Sequence, residues 1–268
     1  MINTSYPIGS KNLDNLFGGY AKGVLHCFFG PTGSGKTTLS VYTPIASIYK
    51  AEKANLTDKH KFFVIDGDGG FDAERATACW EANGLDPDKV MKYVQTWEPT
   101  DFAEQHKIFS GGRGNVPGEL ETFINKEGYK PLLITADPMV AIYRGIVMRT
   151  DLAMRAVVLG GYTAKLDLQM ATMKQLSKTT NCPSIITSWP SSPVGAAMSK
   201  ETTNVSGEVP ILGGRSFGFI PKIIVELRIE RDRATEQVTK RTAILFKHRA
   251  RKAGTSCNYS ITDKGVSD

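Results

Sequence analysis

Val24-Leu25-His26-Cys27-Phe28-Phe29, then Gly30-Pro31-Thr32-Gly33-Ser34-Gly35-Lys36-Thr37, is the stretch from which the rest of the chain is read. The apolar run has the length of a buried strand, and Thr38-Leu39-Ser40-Val41-Tyr42 opens a helix. A glycine, four residues and Gly-Lys-Thr is the P-loop spacing, and strand–loop–helix is the setting that spacing requires. Glycines let the backbone wrap so that successive N–H groups point at phosphate oxygens. The following helix N-terminus adds unpaired donors and partial positive charge. Gly30, Pro31, Thr32, Gly33, Ser34, Gly35, Lys36, Thr37 and Thr38 are therefore the candidate phosphate-binding residues. Lys36 can reach terminal phosphates, and the Thr37 hydroxyl can hold magnesium. A plain glycine-rich turn is the competing reading, and it does not account for strand, full spacing and helix coinciding.

Outward from this stretch, three further apolar runs read as core strands. They are Lys61 to Asp66, Pro131 to Asp137 and Pro183 to Ser188. Strand ends at one edge of such a sheet face the ligand crevice. Lys92 to Trp97 reads as another strand, and 222–229, 242–247 and 256–261 suit an antiparallel or mixed extension. Helices are expected at Ser10 to Phe17, capped by Ser10 and stopped at Gly18-Gly19, and from about Lys36 to Lys53. Pro44 should kink or interrupt the latter. Others are Phe71 to Ala82, with Ala78, Cys79 and Ala82 inward, Pro99 to about Phe109, and Pro117 to Asn125. Ser110 to Asn115 reads as a loop. Thr150 to Leu159 and Ala164 to Ser177 read as two helices split by Gly160-Gly161, with Leu166, Met170 and Met173 on a core face. The fold expected is α/β, with a mostly parallel central sheet flanked by helices and an antiparallel C-terminal extension. It is expected as one domain over 1–268 with a mobile loop at about 190–218.

The chain has 268 residues, a formal net charge of +6 and four cysteines. That length supports a sizeable core. No stretch has the eighteen or more apolar residues of a membrane span, so no membrane partner is expected. The N-terminus has no signal segment. Cys27, Cys79, Cys182 and Cys257 are widely spaced, form no zinc pattern, and suit buried thiols in a cytoplasmic protein.

A P-loop works with an acid at the end of a neighbouring strand that positions magnesium. Asp137 is the candidate, against a turn or helix-capping aspartate. A group that orients the attacking water is also needed. Asp68, in Asp66-Gly67-Asp68-Gly69-Gly70, is the candidate, against an Asx-turn residue. Lys240 to Lys252 contains no acid. It suits nucleic-acid phosphates, a finger reaching a neighbour's nucleotide, or a solvated edge strand defended by charge.

The arrangement as a whole resembles the RecA/RadA recombinase superfamily, and most closely its archaeal RadB group. The resemblance rests on Ser10-Lys11-Asn12-Leu13-Asp14-Asn15-Leu16-Phe17-Gly18-Gly19-Tyr20 before the P-loop, and on Asp66 to Arg75. It rests also on Ile134 to Arg144, Phe246-Lys247-His248-Arg249-Ala250-Arg251, and Tyr259 to Gly265. It implies a RecA-like P-loop NTPase core that uses ATP and Mg2+ and hydrolyses ATP weakly. It further implies binding to DNA, single-stranded above all, in recombination or repair, with a recombinase partner or a homo-oligomer holding ATP between subunits. By the same resemblance Asp137 is the Walker B acid beside Thr37, and Arg75 stacks on adenine. Lys247 and Arg249 match a finger inserted across a subunit interface. Arg144 and Arg149 fall near the first DNA loop, and 190–218, with Lys200 and Arg215, near the second. Two positions depart from the pattern. Asp68 stands where the family has a glutamate, one methylene longer, and a misplacement of about 1 Å can cost roughly a hundredfold in rate. Trp189 stands at the γ-phosphate-sensing glutamine and cannot copy an amide; it can stack on a base or pack in the core. Two other readings remain open: a nucleotide-gated module that engages a recombinase without turnover, and a clock-type ATPase on the same core.

Overall fold

Every residue of the strand Leu25–Phe29 is buried, and the sheet is assembled on both sides of it. The computed structural model describes residues 4–112, 116–191, 211–232 and 234–268. In chain order the elements begin with β1 (Ser5–Tyr6), α1 (Lys11–Phe17), β2 (Tyr20–Ala21), β3 (Leu25–Phe29), α2 (Thr43–Glu52) and β4 (His60–Asp66). They continue with α3 (Ala73–Ala82), α4 (Pro87–Met91), β5 (Val94–Trp97), α5 (Phe102–Phe109), α6 (Glu119–Asn125) and β6 (Lys130–Asp137). Next come α7 (Ala141–Arg149), α8 (Arg155–Thr180), β7 (Ser184–Ser188), β8 (Ile223–Arg231) and β9 (Val238–Lys247). The chain closes with β10 (Ser256–Asn258), β11 (Ser260–Thr262) and β12 (Gly265–Ser267).

The main sheet has eight strands in the order β10-β9-β8-β3-β7-β6-β4-β5. From β8 to β5 the pairings are parallel, and β9 and β10 add antiparallel strands at one edge. β11 and β12 form a separate antiparallel pair. This is the expected α/β architecture with its antiparallel C-terminal extension. Successive residues of a strand point to opposite faces, and here both faces are covered. Phe28, Phe62 and Val64 pack into one buried cluster, while Cys27, Phe29, Phe63 and Ile65 pack into the other. That is why β3 and β4 read as continuous apolar runs.

Several local expectations hold with small shifts. Ser10 caps α1 by accepting from the Leu13 N–H, and Gly18 ends it in the left-handed region at φ 86°. Leu166, Met170 and Met173 are fully buried. α3 instead buries Ala76, Cys79 and Trp80, while Ala78 and Ala82 are half-buried, because the bulky Trp80 takes the place nearest the core.

Three expectations are corrected. Pro44 neither ends nor breaks its helix. The turn Thr38–Tyr42 is π-helical, the Thr43 N–H reaches Thr38 O, and Pro44 falls in the first turn of α2. A proline has no N–H to give, and the widened turn accommodates it where donors are not required. Gly160-Gly161 does not divide two helices either: α8 runs unbroken from Arg155 to Thr180. Contacts hold it beside the glycines, with Tyr162 edge-on to Phe102 at 5.0 Å and Thr163 Oγ1 3.2 Å from the Tyr143 hydroxyl. Two interior glycines cost about 2 kcal/mol together, which the buried face from Leu166 onward outweighs. Helix α7 was not expected, and the stretch read as one strand over 256–261 is two, β10 and β11. Residues 192–210, including Lys200, and 113–115 lie outside the described residues, and with them most of the expected loop.

Gly30 abuts the next strand so closely that a Cβ there would collide with the backbone carbonyl of Leu227 in β8. The clash is with main chain and cannot be relieved by a rotamer change. Gly30→Ala is therefore expected to lower stability by about 1–3 kcal/mol, read as a lower urea midpoint with an unchanged m-value.

Candidate phosphate-binding site

The parallel register brings four strand ends to one edge. Phe29 is level with Ser188 of β7 and Glu226 of β8, and Asp66 is level with Asp137. A cleft of about 250 Å3 opens there, lined by Lys36, Thr37, Asp68, Asp137 and Trp189, with the P-loop residues Thr32 and Gly33 at its rim.

Gly33 and Gly35 have φ of 83° and 88°, the left-handed region that glycine adopts without penalty. Lys36 is buried, and its Nζ donates to Gly30 O and Pro31 O, both at 2.9 Å. Burial lowers its ammonium to about 8, and Asp137 and Asp68 counter this only in part. Asp137 is buried at the end of β6, and Oγ1 of Thr187 donates to its Oδ1. Burial raises its carboxyl above the ordinary range, against the opposing hydrogen bond from Thr187. Helix α7 begins at Ala141 with Val140 at its N-cap position and no side-chain cap, so Asp137 is not a helix cap.

The acidic turn divides its labour. Asp66 is the turn residue: its carboxylate accepts from the N–H groups of Asp68, Gly70 and Phe71 at 3.3, 2.9 and 2.8 Å. Asp68 is thereby left facing the cleft, with its carboxyl raised by partial burial and then by Asp137 and Asp66.

Trp189 is half-buried against the core at the cleft wall, with the Arg144 guanidinium 5.0 Å from its ring centroid. Its carbonyl accepts from the Leu212 N–H at 2.9 Å. Arg149 is exposed at the end of α7. Arg75 in α3 is not among the residues lining the cleft; it donates to Thr262 O at 2.5 Å and pairs with Asp263 at 3.3 Å. Lys247 and Arg249 are not in the cleft. Lys247 pairs with Ile224 in the sheet, toward the end of β9 remote from the P-loop, and its Nζ donates to Gly218 O and Phe219 O at 2.8 and 3.0 Å. Arg249 is exposed just beyond.

The basic run is not an edge strand. β9 pairs on both sides, with β8 and β10. Several of its cations are engaged: Lys240 with Glu230 at 3.2 Å, Arg241 with Gly33 O at 3.4 Å, and Arg251 with Asp14 O and Asn15 O at the C-terminus of α1. The sequence reading missed three side chains on the P-loop: Arg241, Arg231 with Thr32 O at 3.4 Å, and Tyr259 with Ser34 O at 2.6 Å. Nothing in their local pattern signals this, because long-range strand pairing brings them there.

A P-loop on the central strand of a mostly parallel sheet, with acids closing β4 and β6, defines a RecA-like α/β core. The model of the Rad51 family matches residues 3–268, and the chain belongs to that family. It is 26% identical to the DNA repair and recombination protein RadB of Thermococcus kodakarensis, over 97% of each chain. It is 29% identical to the RadB of Pyrococcus abyssi, over 97% of this chain and 92% of that one. It also resembles a solved structure described as the crystal structure of the RadB recombinase, with a TM-score of 0.65 and 25% identity over 98% of this chain and 99% of that one.

Lys36 yields a pH prediction. Its folded value lies below the unfolded one, so between about pH 8 and 10.5 the unfolded chain holds a proton that the folded chain has released. Stability contributed through Lys36 therefore rises across that window. Relative to Lys36→Met, the wild type should gain roughly 2 kcal/mol from pH 8 to 10.5, measured by paired urea titrations.

Proposed function

We propose that the chain is a slow, magnesium-dependent ATPase of the Rad51 family that acts on DNA, single-stranded above all, in recombination or repair. The observation that carries this is the convergence of Lys36, Thr37, Asp68 and Asp137 on one cleft. The cleft suits a polyanion with a cation. Lys36 is a buried ammonium whose hydrogen bonds go to the carbonyls of Gly30 and Pro31, and Asp137 is a buried carboxyl. An anion and a divalent cation would compensate both.

In this reading the loop N–H groups and Lys36 bind the phosphates, and Thr37 and Asp137 hold Mg2+. When bound, Mg2+ neutralises charge that develops on the phosphoryl oxygens. Lys36 exchanges the carbonyls of Gly30 and Pro31 for phosphate oxygens. Asp68 orients the attacking water and accepts its proton, for which a raised carboxyl is the better base. Its short side chain makes the step slow. Arg75 flanks the base. Lys247 and Arg249, remote from the chain's own P-loop, face a neighbouring subunit in a homo-oligomer with ATP between subunits, or a recombinase partner. The descriptions of the relatives as DNA repair and recombination proteins support the DNA role, as do the exposed cations Arg149, Arg249 and Lys252. The cytoplasm is the compartment that fits this reading. Among the described residues no helix is long and apolar enough to cross a membrane.

A nucleotide-gated interaction module without turnover is the second reading. The Arg144-covered Trp189 at the cleft wall favours it, since an indole cannot sense phosphate as an amide does.

About 1 mM Mg-ATP should protect the wild type against thermal unfolding by roughly 1.4 kcal/mol or more for a dissociation constant near 0.1 mM or tighter. Lys36→Met should show no such shift. Equal shifts in both proteins, or none in the wild type, count against nucleotide binding in this cleft.

A further inference from the structure

Three consecutive carbonyls of the P-loop are held from outside by side chains of the C-terminal part of the chain. Arg231 Nη2 donates to Thr32 O at 3.4 Å, Arg241 Nε to Gly33 O at 3.4 Å, and the Tyr259 hydroxyl to Ser34 O at 2.6 Å. These groups are themselves anchored. Arg231 closes β8 and its Nη1 donates to Glu236 O at 2.8 Å, while the Tyr259 N–H donates to Arg241 O at 3.2 Å. Tyr259 is buried, and burial holds its hydroxyl in the protonated, donating form.

In a planar trans peptide the C=O and the following N–H point in opposite directions. Fixing the carbonyls of Thr32, Gly33 and Ser34 outward therefore turns the N–H groups of Gly33, Ser34 and Gly35 into the loop. The Ser34 N–H donates to Pro31 O at 3.3 Å, a carbonyl that also accepts from Lys36 Nζ, so a phosphate would replace that carbonyl as its acceptor. A donor on the carbonyl also polarises the peptide and strengthens its N–H as a donor. Gly33 and Gly35, with positive φ, can adopt the required orientation.

We propose that Arg231, Arg241 and Tyr259 form a clamp, built in cis by the C-terminal part of the chain from the end of β8 to the residue after β10, that preorganises the amides of Gly33, Ser34 and Gly35 to receive a phosphate chain. They are positioning residues: each acts through the P-loop backbone. The proposal rests on the nucleotide reading of the cleft and adds the part of the fold that readies it. It gives this part of the chain a task other than contacting a polyanion. Arg231 of β8 and Arg241 of β9 lie at the P-loop edge of the sheet, whereas Lys247 and Arg249 lie toward the opposite end.

The test is the dissociation constant of Mg-ATP by calorimetry for the wild type, Tyr259→Phe and the double variant Arg231→Gln/Arg241→Gln. It is run well below each protein's unfolding temperature. Backbone amide shifts of Gly33, Ser34 and Gly35 are recorded without nucleotide. Tyr259→Phe should weaken binding by roughly threefold to tenfold, and the double variant by about tenfold or more. The amide signals of Gly33 to Gly35 should move in both. Tyr259→Phe removes one oxygen and no charge, so it carries the test should the double variant fail to fold. Unchanged affinity with a lowered unfolding temperature would make these contacts structural and overturn the clamp. Unchanged amide shifts would overturn it as well. Absence of binding by the wild type would instead overturn the nucleotide reading, and the clamp with it.

Discussion

Lys36 keeps a positive charge in a buried place with the carbonyls of Gly30 and Pro31 to solvate it. A lysine so placed is depressed to about 8 by lost hydration. The surrounding architecture makes this arrangement tolerable. β3 lies between two other parallel strands, so the loop that follows it has walls on both sides. The register sets Asp66 level with Asp137, and the carboxyls of Asp137 and Asp68 offset part of the desolvation of Lys36. Gly30 against Leu227 O and Gly35 beneath Ile261 allow the close packing that buries the ammonium.

The acids around this charge have separate tasks. Asp66 satisfies three N–H groups of its own turn, which fixes where the turn goes. Asp137 is tied to Thr187 on the next strand and stays deep. Asp68 lines the cleft. One acidic stretch thus holds a structural carboxylate, Asp66, and one that lines the cleft, Asp68. In the proposed reading the short side chain of Asp68 slows turnover, and the Trp189 indole, with Arg144 over its ring, cannot act as an amide-based sensor.

Much of this was legible in the sequence where a local pattern carries a local cause. The glycine spacing of the P-loop, the Ser10 cap with its Gly18 stop, and the acids after apolar runs each follow from short-range backbone chemistry. Reading failed where distant contacts override local propensity. Gly160-Gly161 looks like a break, yet Tyr162 and Thr163 hold α8 together across it. Pro44 looks like a kink, yet a π-turn makes room for it. Arg231, Arg241 and Tyr259 are unremarkable in sequence and meet the P-loop through the pairing of β8, β9 and β10. Lys247 read as part of a finger reaching across a subunit interface, and its Nζ is bound to two carbonyls near its own strand end.

In the proposed reading the phosphate cradle is complete while the water-orienting acid is one methylene short. Single-turnover hydrolysis of γ-labelled Mg-ATP by the wild type, Asp68→Glu and Asp68→Ala separates this from its alternatives. Asp68→Glu should turn over faster, by about tenfold to a hundredfold, Asp68→Ala more slowly, and all three should bind ATP with similar affinity. Turnover by Asp68→Glu no faster than the wild type, or unaffected turnover by Asp68→Ala, would rule out Asp68 as the short water-orienting acid.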